Sequence, residues 1–221
     1  MEVKDGNLQS EITVEVLCDK ETLFKLLNNK GYFFKERLHI TDFYYTRLDL
    51  SKCIEFKDLS RNSFLVRDVK LERKYFSNDG VATLLYKHKA FDKNNNVISE
   101  QKLSCNIDVD ASRRIFDAAG LSNWCVKKMT GYVFKKEGKN GQEAKEEILV
   151  QEVHGLGIFI EIEQFDESAG TRDEVLDGLV DLINELGVPC GNDFHINIAY
   201  RLYLQRTNRV PVKFFPGLSI K

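Results

Sequence analysis

Residues 157–165 read GIFIEIEQF, with Glu161 and Glu163 alternating with Ile160 and Ile162. In an extended strand, residues i and i+2 share a face. Both carboxylates then point one way and the isoleucines the other. Carboxylates at this spacing suit a hard divalent cation such as Mg²⁺ or Mn²⁺, which takes oxygen ligands. EITVEV repeats the pattern, with Glu11, Thr13 and Glu15 opposite Ile12, Val14 and Val16. Cations recur in similar settings. Arg67 in SFLVRDV shares a face with Leu65 and Val69, Lys87 and Lys89 in LLYKHKA align with Leu85, and Lys127 in CVKKMTG aligns with Met129. Guanidinium and ammonium groups suit phosphate oxygens. An enclosed space lined by both sets would bind a metal–polyphosphate complex. The same faces turned to water would be ordinary solvated strand surfaces, and periodicity alone does not choose between the two.

The elements that must carry these groups are strands, with helices between them. EITVEV (11–16), SFLVRDV (63–69), VATLLYKHKAF (81–91), VISEQKLSCNI (97–107), CVKKMTGYVFKK (125–136), EEILVQEV (146–153) and GIFIEIEQF (157–165) alternate as strands do. SNDG, DKNNNV and EGKNGQEAK read as turns and hairpin loops. DKETLFKLLNNKG predicts a helix capped by Asp19 and stopped at Gly31. DASRRIFDAAG predicts a second, from a capping Asp110 to Gly120. TRDEVLDGLVDLINELG predicts the strongest, with a Thr171–Glu174 capping box and a stripe of Val175, Leu179, Ile183 and Leu186. AYRLYLQRT starts as a short helix and continues as an extended tail over 207–221, where Pro211 and Pro216 exclude regular structure. That tail either packs on the body or meets another chain, as in a homodimer.

Composition bounds the rest. The 221 residues, 43% hydrophobic and 30% charged, suit a single domain over 1–221, with no repeat or Pro/Gly-rich linker. A net charge of −2 gives no basic excess for nucleic acid. The five scattered cysteines form no C-x-x-C pair, so neither a disulfide framework nor a zinc site is indicated. His39, His88, His154 and His195 are not at metal-ligand spacings. No apolar run approaches the roughly 18 residues of a membrane span. The polar MEVKDGNLQS start lacks a signal-peptide core. A reducing, cytoplasmic setting without membrane partners is the expectation.

The order of these segments resembles the CYTH superfamily, the triphosphate tunnel proteins that include class IV adenylyl cyclases and thiamine triphosphatases. EITVEV, then a helix ending LLNNKGY, then TDFYYT, FLVRDV, LLYKHKA and VKKMTGY follow the family order, and ILVQEVHGLGIFIEIE is the most specific match. LINELGVP and AYRLYL complete it, so the resemblance covers roughly residues 10–205. It implies an α+β fold, an eight-stranded antiparallel closed β-barrel with a charged tunnel and helices packed outside. It implies Glu161, Glu163 and Glu11 as ligands of Mg²⁺ or Mn²⁺, and Arg67, Lys87, Lys127 and Lys89 as contacts to a triphosphate-containing small molecule. Metal-dependent triphosphate hydrolysis is the activity that follows. A class IV adenylyl cyclase on the same scaffold, or a module that binds without catalysis, are the alternatives.

Four departures bear on that reading. Thr13 stands where the family has its second glutamate and Glu15 where it has a lysine, while Met129 replaces an arginine and Gln151 an aspartate. Two cationic contacts are lost, each worth about 1.5–3 kcal/mol as a charged hydrogen bond. Lys89, Lys128 or Arg73 are the bases available to compensate.

Overall fold

The computed structural model describes residues 10–52, 54–61, 63–72, 81–91, 97–137, 143–164 and 172–207. The elements run β1 (Ser10–Glu15), α1 (Lys20–Asn29), β2 (Tyr32–Thr46), α2 (Phe56–Arg61), β3 (Ser63–Leu71), β4 (Val81–Phe91) and β5 (Val97–Asn106). They continue with α3 (Val109–Ala118), β6 (Ser122–Glu137), β7 (Glu143–Val153), β8 (Gly157–Gln164), α4 (Arg172–Leu186) and α5 (Ile198–Arg206). The seven expected strands all form. The eighth, β2, spans 15 residues and escaped the alternation pattern. Lys35, Glu36 and Arg37 interrupt its apolar alternation, and a bulge between Phe34 and Glu36 resets which face each residue takes.

All eight strands form one antiparallel sheet in the order β1-β8-β7-β6-β2-β3-β4-β5. Among the described residues β1 and β5 are its two ends and do not pair. The architecture is therefore an antiparallel α+β sheet with helices, and the sheet is not closed into the barrel that the family pattern implied. The reason lies at the outer edge of β1. Thr13 N–H donates to the Phe194 carbonyl at 2.9 Å, Ile196 N–H donates to the Thr13 carbonyl at 3.2 Å, and Gly191 N–H donates to the Glu15 carbonyl at 2.9 Å. The segment before α5 thus occupies the backbone groups that the closing eighth pairing would need.

One face of the sheet is apolar and covered. Ile12, Val14, Tyr132, Phe134, Ile148, Val150, Ile160 and Ile162 pack against Leu23 and Leu27 of α1 and Leu179, Ile183 and Leu186 of α4. Farther along, Val66 and Tyr45 pack with Phe116 of α3. With this face sealed by helices, the alternation of β1 and β8 turns Glu11, Thr13, Glu15, Glu161 and Glu163 to the other side.

Asp19 caps α1 as expected, accepting the Thr22 N–H at 2.8 Å, and Gly31 takes φ +83°. The second expected cap is corrected. α3 is capped by Asp108, which accepts the Ala111 N–H at 2.7 Å, and Asp110 lies in the first turn. A carboxylate can close a helix start only from the non-helical residue, and Asp110 is already inside the helix. Asp108→Ala should lower stability by about 1 kcal/mol in urea titration, with Asp110→Ala changing it far less. Thr171 of the predicted capping box and the tail from 208 onward lie outside the described residues. Among the described residues, no helix is long and apolar enough to cross a membrane.

Candidate metal and phosphate site

Three of the predicted acids converge. β1 and β8 place Glu11 directly opposite Glu163 and Thr13 opposite Glu161. One carboxylate oxygen from each of Glu11, Glu161 and Glu163 lies within 4.8 Å of the others. All three residues are half-buried. Three hard oxygen donors so close repel one another unless a cation or donor stands among them. Gln151 of β7 supplies one donor, its Nε2 to a Glu161 carboxylate oxygen. Gln151 is fully buried, and its Oε1 has no hydrogen-bond partner. A buried acceptor left unpaired on a residue that contacts Glu161 is a place for a water, since buried acceptors are rarely left unpaired. Where the CYTH pattern has an aspartate, Gln151 presents a neutral amide whose Nε2 faces Glu161.

The cationic half is built differently from the expectation. Asp42 of β2 stands in register between Arg67 of β3 and Lys127 of β6. Arg67 donates through Nε to Oδ1 at 2.7 Å and through Nη2 to Oδ2 at 2.9 Å. Lys127 Nζ lies 3.2 Å from Oδ2, and the Tyr44 hydroxyl donates to the same oxygen at 3.3 Å. The Asp42 side chain is 0% exposed, Lys127 6% and Arg67 31%. Burial works against the Asp42 charge. Arg67 and Lys127 more than offset it and hold the carboxyl well below its usual range. Burial likewise opposes the Arg67 charge, which Asp42 outweighs, with Glu161 contributing. Burial, then the Asp42 charge, pushes the Tyr44 phenol well up, so Tyr44 stays a neutral donor. Glu161 is the least of the named influences that raise the Arg67 guanidinium and the Tyr44 phenol.

Arg67 and Lys127 therefore occur together, as the resemblance implied, but they grip a resident carboxylate. Asp42 carries no local signal beyond its place in TDFYYT, because the alternation of β2 is broken. Lys87 is in register with Ser63 of β3 and Lys102 of β5, and Lys89 with Glu100. The side chains of both lysines, and Arg73, lie outside the described residues. Lys128 sits on the opposite face of β6 from Lys127 and is exposed.

The remaining departures have structural counterparts. Glu15, in place of a lysine, meets Arg201 of α5, whose Nη1 donates to Oε2 at 2.9 Å. Arg201 Nη2 also reaches Asp193 at 3.5 Å. At this place the cation is carried by the helix. Met129, in place of an arginine, belongs to an apolar cluster with Ile40, Val153, Phe159, Ile196 and Ile198, with Leu202 packed against it. The chain entering α5 plugs this part of the inner face, and an arginine there would lose its hydration. Thr13 is buried and uses its backbone to hold the plug.

Other candidates contribute less. His154 is exposed in the turn before β8, where Gly155 and Gly157 take φ of +81° and +132°. That bears out HGLG as a turn requiring left-handed backbone. Burial pushes the Cys125 thiol up to about 12, so it is inert near neutrality. A cavity of about 870 Å³ opens on the outer face, lined by Phe24, Phe34, Arg37, Glu72 and Tyr132 among others, and shares no residue with either half of the site.

Comparison with known proteins agrees on the fold. No family model matches the chain. A protein of Methanocaldococcus jannaschii with the provisional name of an adenylate cyclase is 23% identical over 185 residues, covering 84% of this chain and 93% of its own. The structure of the PH1819 protein of Pyrococcus horikoshii superposes with a TM-score of 0.64 at 21% identity, over 90% of this chain and 99% of its own. A Vibrio parahaemolyticus structure, also provisionally named an adenylate cyclase, gives 0.58 at 15% identity, over 90% and 99%.

Proposed function

We propose that this chain is a divergent CYTH-like protein and a divalent-metal-dependent phosphohydrolase acting on an inorganic or organic triphosphate, a reading supported by its likeness to the Methanocaldococcus, Pyrococcus and Vibrio proteins. The convergence of Glu11, Glu161 and Glu163 carries this reading. Those three glutamates would hold Mg²⁺ or Mn²⁺. A bound divalent ion supplies Lewis-acid polarisation of a phosphoryl oxygen and orients a water. Arg67 has its Nε and Nη2 committed to Asp42, which fixes the guanidinium plane. Its remaining Nη1 is the group available to a phosphate oxygen. Lys127, buried against Asp42, adds positive potential from behind. Arg201 closes the far side through Glu15.

The provisional names of the Methanocaldococcus and Vibrio proteins favour a second reading, adenylyl cyclisation, in which a ribose hydroxyl attacks the α-phosphate of ATP. One assay separates the two. The purified protein is given Mg²⁺ or Mn²⁺ with tripolyphosphate, thiamine triphosphate or ATP, and orthophosphate and cyclic AMP are both quantified. Orthophosphate without cyclic AMP is the expected result. Cyclic AMP with pyrophosphate would replace hydrolysis by cyclisation. Turnover of neither kind would leave a module that binds its ligand without catalysis.

A further inference from the structure

A second cavity, of about 240 Å³, lies between β6 and α5. Trp124, Cys125 and Val126 line it from the strand, and Leu202, Tyr203 and Arg206 from the helix. A bulge shapes its inner wall. Tyr44 pairs with Cys125 and Tyr45 with Asn123, so Trp124 has no place in the ladder, and Trp124 and Cys125 are buried at consecutive positions. The Trp124 ring packs between Tyr44, at 5.1 Å, and Tyr203, at 5.9 Å between centroids. Trp124 is 4% and Tyr203 3% exposed, yet the Trp124 Nε1 and the Tyr203 hydroxyl have no hydrogen-bond partner. Buried polar groups are rarely left so, and an indole N–H can only donate. The charges nearby favour the same kind of ligand. Arg206 is three residues from Tyr203 on α5, so the two share a helix face. It is exposed and makes no ion pair among the described residues. No described carboxylate lines the cavity, and the Cys125 thiol, pushed up to about 12 by burial, stays neutral.

We propose that this cavity is a binding site for a small aromatic carboxylate. The ring packs against Val126, Leu202 and the Trp124–Tyr203 pair, and the carboxylate meets Arg206 and the two unpartnered donors. Neither donor is open to water as the side chains stand, so ligand and side chains settle together. The cavity shares no residue with the three glutamates or with Asp42, Arg67 and Lys127, and the proposal is independent of hydrolysis.

Trp124 is the one tryptophan of the chain, so its indole N–H gives a single peak in a proton–nitrogen correlation spectrum. Benzoate titrated into the full chain should shift that peak saturably, as the N–H gains an acceptor. Benzamide, which lacks the charge, and acetate, which lacks the ring, should each bind at least about tenfold more weakly. Arg206→Gln should weaken benzoate binding about ten- to a hundredfold, the factor for one charge-assisted hydrogen bond, and Tyr203→Phe by about two- to tenfold. Arg206 is exposed, so its replacement removes no buried contact. An arginine that served only to offset the end of α5 would lower stability and leave benzoate affinity unchanged, and that result overturns the proposal. An indole peak that benzoate does not move also overturns it, as does benzamide or acetate matching benzoate, and neither result needs a variant to fold.

Discussion

Replacing Asp42 with alanine is expected to lower the unfolding free energy at pH 7 by about 3–5 kcal/mol, the cost of breaking a buried ion pair from one side. The carboxylate is 0% exposed and is bound by Arg67, Lys127 and the Tyr44 hydroxyl. Its removal strands an ammonium whose side chain is 6% exposed. Lys127→Met should cost distinctly less, because Asp42 keeps the two-pronged Arg67 contact while the buried ammonium disappears with its desolvation cost. The pH dependence has a definite sign. The Asp42 carboxyl is depressed in the folded protein. Its contribution is thus fully present above the unfolded value of about 3.9 and is lost as pH falls through the folded value. Urea titrations at pH 7 and pH 3 should show the gap between wild type and Asp42→Ala narrowing on acidification. A constant gap, or Lys127→Met costing as much as Asp42→Ala, would contradict a charge held by its partners.

The largest effect on activity is expected at Glu161. One of its carboxylate oxygens lies within 4.8 Å of those of Glu11 and Glu163, and it accepts from Gln151. Glu161→Gln keeps size and an oxygen but removes the charge a hard cation requires. Phosphate release under saturating substrate should fall by about a hundred- to a thousandfold, since metal charge stabilisation is worth several kcal/mol. Mn²⁺ binding followed by electron paramagnetic resonance should weaken in parallel. The folded stability without metal should hold or rise, because three crowded carboxylates become two. A variant with full phosphate release and unchanged Mn²⁺ binding would remove Glu161 from the site.

How much of this was legible in the sequence depends on how local each signal is. Period-two alternation marked seven strands, because helices seal one face of the sheet and each such strand repeats apolar and polar residues accordingly. Glu161 and Glu163 were readable for the same reason, two residues apart in a strand whose isoleucines had to go inward. β2 was not readable. The run Lys35, Glu36 and Arg37 and the bulge after Phe34 break the period at the point where it would have been recognised. With the strand, Asp42 was missed, although TDFYYT was noted. The α3 cap lies two residues earlier than expected, since DVDAS offers two aspartates of equal chemistry, one residue apart, and only the backbone angle of Asp108 makes it the cap.

The sequence by itself determined which residues share a strand face, and hence that Glu11, Glu161 and Glu163 lie on the face opposite the isoleucines and valines of their own strands. It also carried the family order, through HGLGIFIEIE above all. What stands across from each group was decided only in three dimensions. Asp42, Arg67 and Lys127 lie 25 and 85 residues apart from first to second and from first to third. Strand register alone brings them into contact. The same holds for Glu15 with Arg201, Met129 with Ile196 and Ile198, and the edge of β1 with the segment before α5. Alternation is a property of one strand's backbone and is written locally. Pairing of charges is set by which strands and helices become neighbours, and that depends on the packing of the whole chain.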